Sequence, residues 1–353
     1  MGVDSGGSFT KIVYFRPKSA PDLPDYVFKD QELPKQLPGL KPDPSIDIIN
    51  KGTLKFIRIP RHKSDEFIHF VGETKLHSQF NIECLNITGG GAFRLAPNLQ
   101  KKLNITVEPL GETDMLVAGL SYLLEYDCSN EVYTVDPVTK EKTFGVFKNV
   151  NEIYPFILVN VGSGVSILKI SGKDEFERVS GSTVGGGTFW ALCRLLTGAT
   201  SYDQVQKLSE SGDSKNVDLH VGDIYGFDSS APGYHKLGLS PDIIASSFGK
   251  IAVQEELPDL RPGDVVRSLM FMMANNISQI AYLIAQLQKV DRIIFAGGFL
   301  ADNVYLLSRI SYALHYWTDA KMKPYFLRHD GYLGALGAML HKSNNNNKPT
   351  NKE

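Results

Sequence analysis

The stretch that decides the fold is residues 154–196, YPFILVNVGSGVSILKISGKDEFERVSGSTVGGGTFWALCRLL. Apolar runs on either side of the glycines at 162 and 164 predict two strands joined by a tight turn. A third predicted strand leads to the glycines at 185–187, and the apolar spacing after them predicts a helix. The order of strand, turn, strand, turn, strand, glycine loop and helix is typical of an α/β protein.

The same pattern occurs at the start of the chain, in residues 2–15, GVDSGGSFTKIVYF. With Gly6 aligned on Gly162, both units have a polar residue two positions before the glycine and a Lys-Ile pair soon after the turn. The two units are about one domain length apart. The repeat therefore predicts two related domains that face each other across a cleft, with both glycine turns at one nucleotide.

A third glycine turn, at residues 296–299, follows a predicted strand and precedes a predicted helix. Glycine lets backbone N–H groups approach phosphate oxygens because no Cβ stands in the way. The Asp4 carboxylate can hold Mg²⁺ against those phosphates, directly or through water. One glycine pair is more often only a tight turn, but three at domain-like separations indicate an ATP site. The predicted ATP-binding residues are Gly6, Gly7, Ser8, Lys11, Gly162, Gly185, Gly186, Gly187, Thr188, Gly297 and Gly298.

Composition and charge narrow the class of protein. The chain has 353 residues and a formal net charge of -2, which argues against nucleic acid as the main partner. Its three cysteines lack CxxC spacing, which favours a reducing compartment, with the cytoplasm as the default. Neither a run of about 18 apolar residues nor a secretory signal is visible, so no membrane span is expected. The histidines have no metal-ligand spacing, and the only metal expected is Mg²⁺ carried with ATP.

The distribution of apolar and polar segments along the chain predicts two domains and a tail. The first domain is predicted at residues 1–150, the second at 151–342, and a disordered tail at 343–353. Residues 16–50, which hold seven of the eighteen prolines, and the polar residues 129–152 are expected to be surface excursions. Helices are predicted at residues 62–80, 112–126, 264–288, 301–316 and 332–342, and further strands at 53–59 and 324–328.

Several motifs are more specific than the glycine turns. They are GVDSGGSFTKIVYF, TGGGAF, the block at residues 154–190, VGDIYG, IASSFGK and FLRHDGYLGALGA. Together they resemble eukaryotic-type pantothenate kinases, the fungal enzymes most of all, over nearly the whole chain except residues 16–50 and 129–152. The resemblance implies an actin-like ATPase fold, with two ribonuclease H-like α/β domains built on mixed five-stranded sheets flanked by helices. It also implies ATP-dependent phosphorylation of pantothenate to 4′-phosphopantothenate, the first step toward coenzyme A, by a homodimer that acetyl-CoA or CoA inhibits.

The resemblance assigns the role of catalytic base to Glu112, in the motif GETDM. A carboxylate there can take the proton of the pantothenate hydroxyl as it attacks the γ-phosphorus. The residue pattern alone also fits a first-turn acid favoured by the helix dipole, which is the interpretation favoured for Asp114. Asp4 and Arg178 complete the predicted catalytic set, because Arg178 can neutralise charge that develops during phosphoryl transfer.

Further site residues are implied by the resemblance. Ser163, Ser166 and Arg178 match positions that contact pantothenate and the acyl-CoA inhibitor, although Arg178 could instead be a solvated charge at a strand end. Thr188 fits both an anion site at a helix N-terminus and a simple N-cap. The partner subunit is expected to contribute Tyr225, Ile244, Ala245, Ala313 and Trp317 to the same pocket. By residue type alone, Ile244, Ala245 and Ala313 would be core residues and Trp317 a buried aromatic at a helix end.

Two other functions are compatible with the same motifs. One is a non-catalytic relative that binds nucleotide or acyl-CoA as a sensor or scaffold, which the presence of Glu112 disfavours. The other is a kinase of the same fold that acts on another polyol or an amino sugar. A substrate panel distinguishes the second alternative from a pantothenate kinase.

Overall fold

The structure is a computed structural model. It describes residues 1–7, 9–18, 41–42, 46–48, 52–60, 68, 72, 84–226, 240–256, 258–301 and 303–341. Ser8, the predicted tail, most of residues 16–50 and nearly all of the predicted helix 62–80 lie outside the described residues. Within the described part, the chain forms two mixed β-sheets with helices against their faces.

The first sheet is built from the N-terminal strands. They are β1 (Gly2–Ser5), β2 (Phe9–Pro17), β3 (Lys41–Pro42), β4 (Ile46–Ile48), β5 (Gly52–Pro60), β6 (Cys84–Thr88) and β7 (Thr106–Pro109). The strand order is β5-β2-β1-β6-β7, with β3 and β4 both paired to β5. β1 and β5 are antiparallel to β2, whereas β1, β6 and β7 are parallel to one another. β1 and β2 are joined by the first glycine turn.

The second sheet repeats this arrangement. The other described strands are β8 (Val132–Val135), β9 (Lys142–Phe144), β10 (Phe156–Val161), β11 (Val165–Gly172), β12 (Glu175–Ser182), β13 (Leu219–His220), β14 (Ile244–Ser246), β15 (Ile293–Ala296) and β16 (Pro324–Leu327). β13 and β14 form a separate ribbon, and the rest form a sheet of order β12-β11-β10-β15-β16-β8-β9. Its first five strands have the order and directions of β5-β2-β1-β6-β7. The predicted pair of related α/β halves is confirmed, and each five-stranded unit carries two additional strands.

The segment 129–152, expected to be a surface excursion, supplies β8 and β9 instead. β8 pairs antiparallel with β16, and Val132, Tyr133 and Val135 are buried. Four residues are too short a run for periodicity alone to distinguish a strand from a turn-rich loop. Both strands precede residue 150, so the predicted division into domains separates them from the sheet with which they pair.

Helices cover the sheets and fill the space between them. They are α1 (Ala92–Leu103), α2 (Glu112–Glu131), α3 (Gly186–Thr197), α4 (Tyr202–Ser211), α5 (Val221–Tyr225), α6 (Gly249–Ala252), α7 (Pro262–Gln288), α8 (Val304–Trp317) and α9 (Leu333–Leu340). The helices predicted at 112–126, 264–288, 301–316 and 332–342 correspond to α2, α7, α8 and α9. α7 begins with a proline, and α8 is capped by Asn303, whose side-chain oxygen accepts a hydrogen bond from the Leu306 amide at 3.0 Å.

The buried side chains form three clusters, each next to a sheet face. α1 packs on one face of the first sheet, and α3, α7 and α8 pack on one face of the second. α2 and α9 lie between the sheets, where Phe56 of the first sheet and Phe156 of the second share one cluster. The layers are therefore helix, sheet, helix pair, sheet and helices.

One described helix, α7, is long and apolar enough to cross a membrane when judged by length and composition alone. About half of that stretch is buried inside the protein, where α7 packs against α3, α4 and α8. A core helix has the same character, so this observation is weak evidence for a span. The expected absence of a membrane span stays a prediction.

The helix pair between the sheets is in backbone contact. A Cβ at Gly119 would overlap the carbonyl oxygen of Leu333, and a Cβ at Gly337 would overlap the carbonyl oxygen of Met115. A Cβ at Gly2 of β1 would meet α9 in the same way, at the carbonyl oxygen of Ala335. Because only glycine lacks a Cβ, these three residues allow α9 to contact both α2 and the first sheet.

Replacing Gly119 or Gly337 by alanine should lower the free energy of unfolding by about 1–3 kcal/mol, because packed backbone atoms must move apart. Urea and thermal unfolding measure the change. Gly172→Ala is the matched control, since its Cβ would meet only the flexible Glu175 side chain at 3.4 Å. That control should stay within about 0.5 kcal/mol of the wild type. Unchanged stability of both Gly119→Ala and Gly337→Ala would contradict the close packing of α2 on α9.

Candidate active site

The first two glycine turns touch each other across the cleft. Gly6 and Gly7 follow β1, and residues 162–164 join β10 to β11. A Cβ at Gly7 would overlap the hydroxyl oxygen of Ser163, so the two turns approach without intervening side chains. The prediction that the repeated turns converge on one place is thereby met for Gly6, Gly7, Gly162 and Ser163.

The third glycine turn completes the group. Gly297 has φ +112°, a conformation that favours glycine, and a Cβ there would overlap the carbonyl oxygen of Val161 at the end of β10. The Phe299 amide donates a hydrogen bond to the same oxygen at 3.2 Å. A Cβ at Gly298 would lie 3.6 Å from the Lys11 amino nitrogen. The three turns and Lys11 therefore border one site.

A cross-strand ion pair lies beside the first turn. Asp4 of β1 faces Lys11 of β2, and the Lys11 amino nitrogen is 3.3 Å from the Asp4 Oδ2. Both side chains are about 15% exposed, so the pair is largely shielded from solvent. Thus Lys11, which the glycine pattern assigned to the nucleotide, also holds the carboxylate assigned to Mg²⁺.

Glu112 is brought to the same place by the loop before α2. The Thr88 hydroxyl donates a hydrogen bond to the Leu110 carbonyl oxygen at 3.1 Å, which ties that loop to the end of β6. The first glycine after β6 packs against Asp4, since a Cβ at Gly89, where φ is +88°, would overlap the Asp4 Oδ1. Gly90 donates its backbone N–H to the Glu112 carboxylate. The two carboxylates are therefore neighbours.

The electrostatic setting of Glu112 suits a proton acceptor. Partial burial raises the pKa of the Glu112 carboxyl above its ordinary value, and the negative charge of Asp4 raises it further. The Lys11 charge and the Gly90 hydrogen bond act in the opposite direction. The side chain still borders the cleft and is open to solvent. A carboxylate with a raised pKa takes up a proton more readily near neutral pH than an ordinary one.

Sequence reasoning missed the structural role of some glycines in this site. Gly90 supports Glu112, Gly89 makes room for Asp4, and Gly334 of α9 would place a Cβ 3.3 Å from the Asp4 Oδ2. The sequence did contain a pattern that could have indicated the roles of Gly89 and Gly90, because three consecutive glycines follow a strand at residues 89–91. Gly334 carried no such signal, since its importance depends on the packing of α9 against β1.

The glycine loop before α3 differs from the predicted anion site. The Gly186 amide donates to the Gly162 carbonyl oxygen at 2.8 Å, and the Gly187 amide donates to the Ser163 carbonyl oxygen at 3.0 Å. These two amides therefore bind the second glycine turn and do not face a phosphate. Gly185, which precedes them, has no side chain to cap the helix. The loop contributes by fixing the shape of the second turn.

The alternative role of Thr188 as the N-cap is also wrong. Gly185 occupies the N-cap position, and Thr188 is the third residue of α3. The Thr188 hydroxyl donates a hydrogen bond to the Thr183 carbonyl oxygen at 3.2 Å. Thr188 thus closes the glycine loop on itself.

Ser166 and Arg178 lie together on the outer strands of the second sheet. Ser166 of β11 is opposite Gly181 of β12, and the Arg178 guanidinium folds over Gly181, where a Cβ would be only 2.8 Å from its Nη2. Within the described part of the chain, no hydrogen bond or ion pair of the exposed Arg178 side chain is seen. Ser163, Ser166 and Arg178 therefore share one edge of the cleft, but Arg178 is not in contact with Asp4 or Glu112.

The residues expected to act across a subunit interface have mixed environments. Tyr225 at the end of α5 is 49% exposed, and Trp317 at the end of α8 is 40% exposed. Ala245 is exposed and Ile244 half-buried on β14, so neither is a core residue, whereas Ala313 is 3% exposed and is one. A single chain contains no subunit interface, so the assignment of these residues to a shared pocket stays a prediction.

The oxygen donors at the site fit Mg²⁺. Mg²⁺ prefers hard oxygen ligands and usually keeps several waters, binding through one or two carboxylates plus substrate phosphates. Asp4, with Glu112 beside it, offers this chemistry at the junction of the turns. Among the described residues, no group of three or more His, Cys, Asp or Glu side chains could hold a metal ion. The donor set therefore fits a cation that arrives with a nucleotide better than a permanently bound one.

The raised pKa of Glu112 predicts a stability effect. A carboxyl group whose folded-state pKa is raised loses its contribution to stability as pH rises through that value. Glu112→Gln should therefore melt at a higher temperature than the wild type at pH 7, and the difference should shrink toward pH 4. Differential scanning calorimetry across this range measures it.

Asp264→Asn is a control for which the opposite change in stability is expected. Burial alone would raise the pKa of Asp264, but hydrogen bonds from Arg261, the Asp213 amide and Asn216 outweigh it and lower that pKa. The ionised wild-type group stabilises the fold above its unfolded pKa, so Asp264→Asn should be less stable at pH 7, with the difference shrinking on acidification. Parallel pH dependences of the two variants would contradict the environment described for Glu112.

Known proteins resemble this chain over most of its length. A family model described as Fumble matches residues 1–341. The chain is 39% identical over 360 residues to "Pantothenate kinase 2" of Arabidopsis thaliana, covering 96% of this chain and 38% of that protein. It is 38% identical to "Pantothenate kinase" of Schizosaccharomyces pombe, covering 96% of this chain and 81% of that protein. The chain thus spans about two fifths of the plant protein and most of the yeast one.

A solved structure, glucokinase from Balamuthia mandrillaris in complex with glucose, is 13% identical, with 96% of this chain and 91% of that chain covered and a TM-score of 0.45. The family assignment rests on the sequence matches alone. By the match over residues 1–341 and by its identity to the yeast protein, the chain belongs to the Fumble family.

Proposed function

We propose that this protein is a pantothenate kinase, which transfers the γ-phosphoryl group of ATP to pantothenate and forms 4′-phosphopantothenate, at the start of coenzyme A synthesis. The observation that carries the proposal is the position of Glu112, beside the Asp4–Lys11 pair where the three glycine turns meet. Support comes from the names of its relatives in yeast and plants, which are pantothenate kinases. Each residue at this junction has a role in phosphoryl transfer.

Glu112 accepts the proton of the attacking hydroxyl, because it is a carboxylate with a raised pKa at the mouth of the cleft. Lys11 and the Gly90 amide favour its ionised form and so offset part of the effect of burial and of the Asp4 charge on its pKa. Asp4 would hold Mg²⁺, which neutralises the negative charge of the phosphates when bound. The backbone of the first and third turns leaves room for the phosphate oxygens. Arg178, with Ser163 and Ser166, would bind the acceptor at the outer edge of the second sheet.

The activity test is ADP release by the full chain with a panel of acceptors. Pantothenate should support turnover, whereas glucose and N-acetylglucosamine should not. Glu112→Gln should lower kcat by about 10²–10⁴-fold while Mg·ADP still binds, because only the base is lost. The matched control is Asp114→Asn in the same helix turn, which should keep wild-type kcat.

The panel separates the alternatives. Turnover with a sugar but not with pantothenate would assign a different kinase. Binding of Mg·ADP without turnover on any acceptor would favour a non-catalytic nucleotide sensor. Normal kcat in Glu112→Gln would refute the role of Glu112 as the base.

We further propose a cytoplasmic homodimer that acetyl-CoA or CoA inhibits, with part of each acceptor pocket supplied by the partner. Tyr225 and Trp317 are both partly exposed, which is compatible with contact to a partner subunit. Cys84, Cys128 and Cys193 form no disulfide bond, which suits the reducing cytoplasm. The family resemblance supplies the rest of this proposal.

Mixing two inactive variants tests the shared pocket. Glu112→Gln lacks the base, and Trp317→Ala lacks the aromatic group that the partner would contribute. A heterodimer of the two holds one intact site, because both changes fall in the other site. The mixture should therefore be more active than either variant alone after subunit exchange, and acetyl-CoA should inhibit that activity. Heterodimers that form without any gain in activity would contradict a pocket shared between subunits.

A further inference from the structure

A buried acid–histidine pair lies at the far end of the helix that begins with Glu112. The Glu131 and His329 side chains are 4% and 3% exposed. The His329 Nδ1 lies 2.7 Å from the Glu131 Oε2, and the His329 backbone amide donates to the Glu131 Oε1 at 2.9 Å. The Arg328 amide donates to the Glu131 carbonyl oxygen at 2.9 Å. Glu131 therefore holds two consecutive loop residues, Arg328 and His329, the second of which lies 198 positions later in the chain.

A break in α2 places Glu131 in this position. Asp127 has φ −162° and ψ 74°, which are not helical values. Its carboxylate accepts hydrogen bonds from the Asn130 amide at 3.2 Å and from the Ser129 hydroxyl at 2.8 Å. Asp127 thus acts as the N-cap of a separate last turn. The break redirects that turn, and Glu131 is buried although Asn130 directly before it is exposed.

The loop held by Glu131 adjoins the third glycine turn. His329 is followed by Asp330 and Gly331, and a Cβ at Gly331 would lie 4.0 Å from the Gly298 Cα. The His329 ring also packs on Phe56 of the first sheet, with ring centroids 4.7 Å apart. The pair therefore links both sheets and supports the loop against the turn that borders Lys11.

A cavity of about 430 Å³ opens between this loop, Lys11, Gly298 and the β8–β9 hairpin. His329 is part of its wall. Its lining includes four cationic residues and one acidic residue, Asp330. The cationic residues are Lys11, Arg58, Lys142 and Arg328. A cavity of this size with excess positive charge suits an anionic small molecule. Because it is continuous with Lys11 and Gly298, it lies on the nucleotide side of the proposed active site.

We infer that Glu131 and His329 are positioning residues for the nucleotide: they hold residues 328–332 against the third glycine turn and so form one wall of the cavity that receives it. This inference rests on the proposed function only in taking ATP as the ligand. Neither residue takes part in the transfer, and neither touches the acceptor side at Ser166 and Arg178. Loss of the pair should therefore weaken nucleotide binding and leave acceptor binding unchanged.

Glu131→Gln tests the pair, because the amide keeps the shape of the side chain but has one acceptor oxygen where the carboxylate has two. The Kd for Mg·ADP, measured by calorimetric titration, and the KM for ATP should both rise roughly three- to tenfold, the loss expected for one hydrogen bond. Glu131→Ala should raise them further. The KM for pantothenate should stay within about twofold. An equal rise of both KM values, or an unchanged Kd for Mg·ADP, would overturn the inference.

Asp264→Asn is the matched control for a general loss of stability. Asp264 is also buried and also accepts a backbone N–H, from Asp213 at 2.8 Å, but it does not hold the loop at residues 328–332. This variant should be destabilised and still bind Mg·ADP with the wild-type Kd. Weakened Mg·ADP binding in Asp264→Asn to the same extent as in Glu131→Gln would assign the effect to stability and overturn the inference.

Hydrogen exchange of the wild-type protein decides the matter if Glu131→Gln does not fold. Mg·ADP should slow exchange of the amides at residues 328–332, and pantothenate alone should not. Unchanged exchange with saturating Mg·ADP would overturn the inference. The titration and the exchange measurement need no turnover, so an absence of pantothenate kinase activity would refute the proposed function without deciding the role of Glu131.

Discussion

The backbone contact between α2 and α9 is the constraint on which the rest of the structure depends. Gly119 and Gly337 let the two helices approach so closely that no side chain fits between their backbones. Gly2 lets β1 pack against α9 in the same way. These helices are the only layer shared by both sheets in the described part of the chain. Their separation therefore sets the distance between the sheets, and with it the contact between Gly7 of the first turn and Ser163 of the second.

At the same junction, the hydrogen bond from Thr88 to the Leu110 carbonyl oxygen fixes the loop before α2 and brings like charges next to each other. Asp4 and Glu112 repel, and the pKa of Glu112 is raised by burial and by this repulsion. Lys11 and the Gly90 amide offset part of the cost. Such an arrangement sacrifices stability for a reactive group, a relation common at functional sites. Glycines flank Asp4 for a steric reason, because a Cβ at residue 89 would overlap its carboxylate and a Cβ at residue 334 would crowd it.

Helix α2 connects the two sides of the proposed active site. Its first residue, Glu112, lies beside the Asp4–Lys11 pair, and its last, Glu131, holds the loop beside the third glycine turn. The break at Asp127 is what allows one helix to do both, since an unbroken helix would direct its last turn elsewhere. In the proposed mechanism, the base and the loop beside the nucleotide are thus held by opposite ends of one helix, which is itself fixed by α9.

Local features of the sequence were sufficient to predict the repeated strand–turn–strand units, the helix at 112–126 and the candidate roles of Asp4 and Lys11. The role predicted for Glu112 came from the family resemblance. Periodicity and turn chemistry involve neighbouring residues, and they can be read from one chain. The family resemblance added roles for Ser163, Ser166 and Arg178 that the residue types alone did not distinguish from ordinary surface positions. It could not show how these residues are arranged relative to the carboxylates.

Only the tertiary structure decided which backbone amides already donate hydrogen bonds within the protein and which distant residues contact each other. The amides of Gly186 and Gly187 bind the second turn, and the segment 129–152 pairs with a strand that lies almost 200 residues later. Glu131 and His329 are 198 positions apart, and neither has a local pattern that points to the other. Hydrogen bonds between distant segments depend on how sheets and helices pack. The sequence by itself therefore determined the glycine turns and the main helices, but not the contacts that hold them in place.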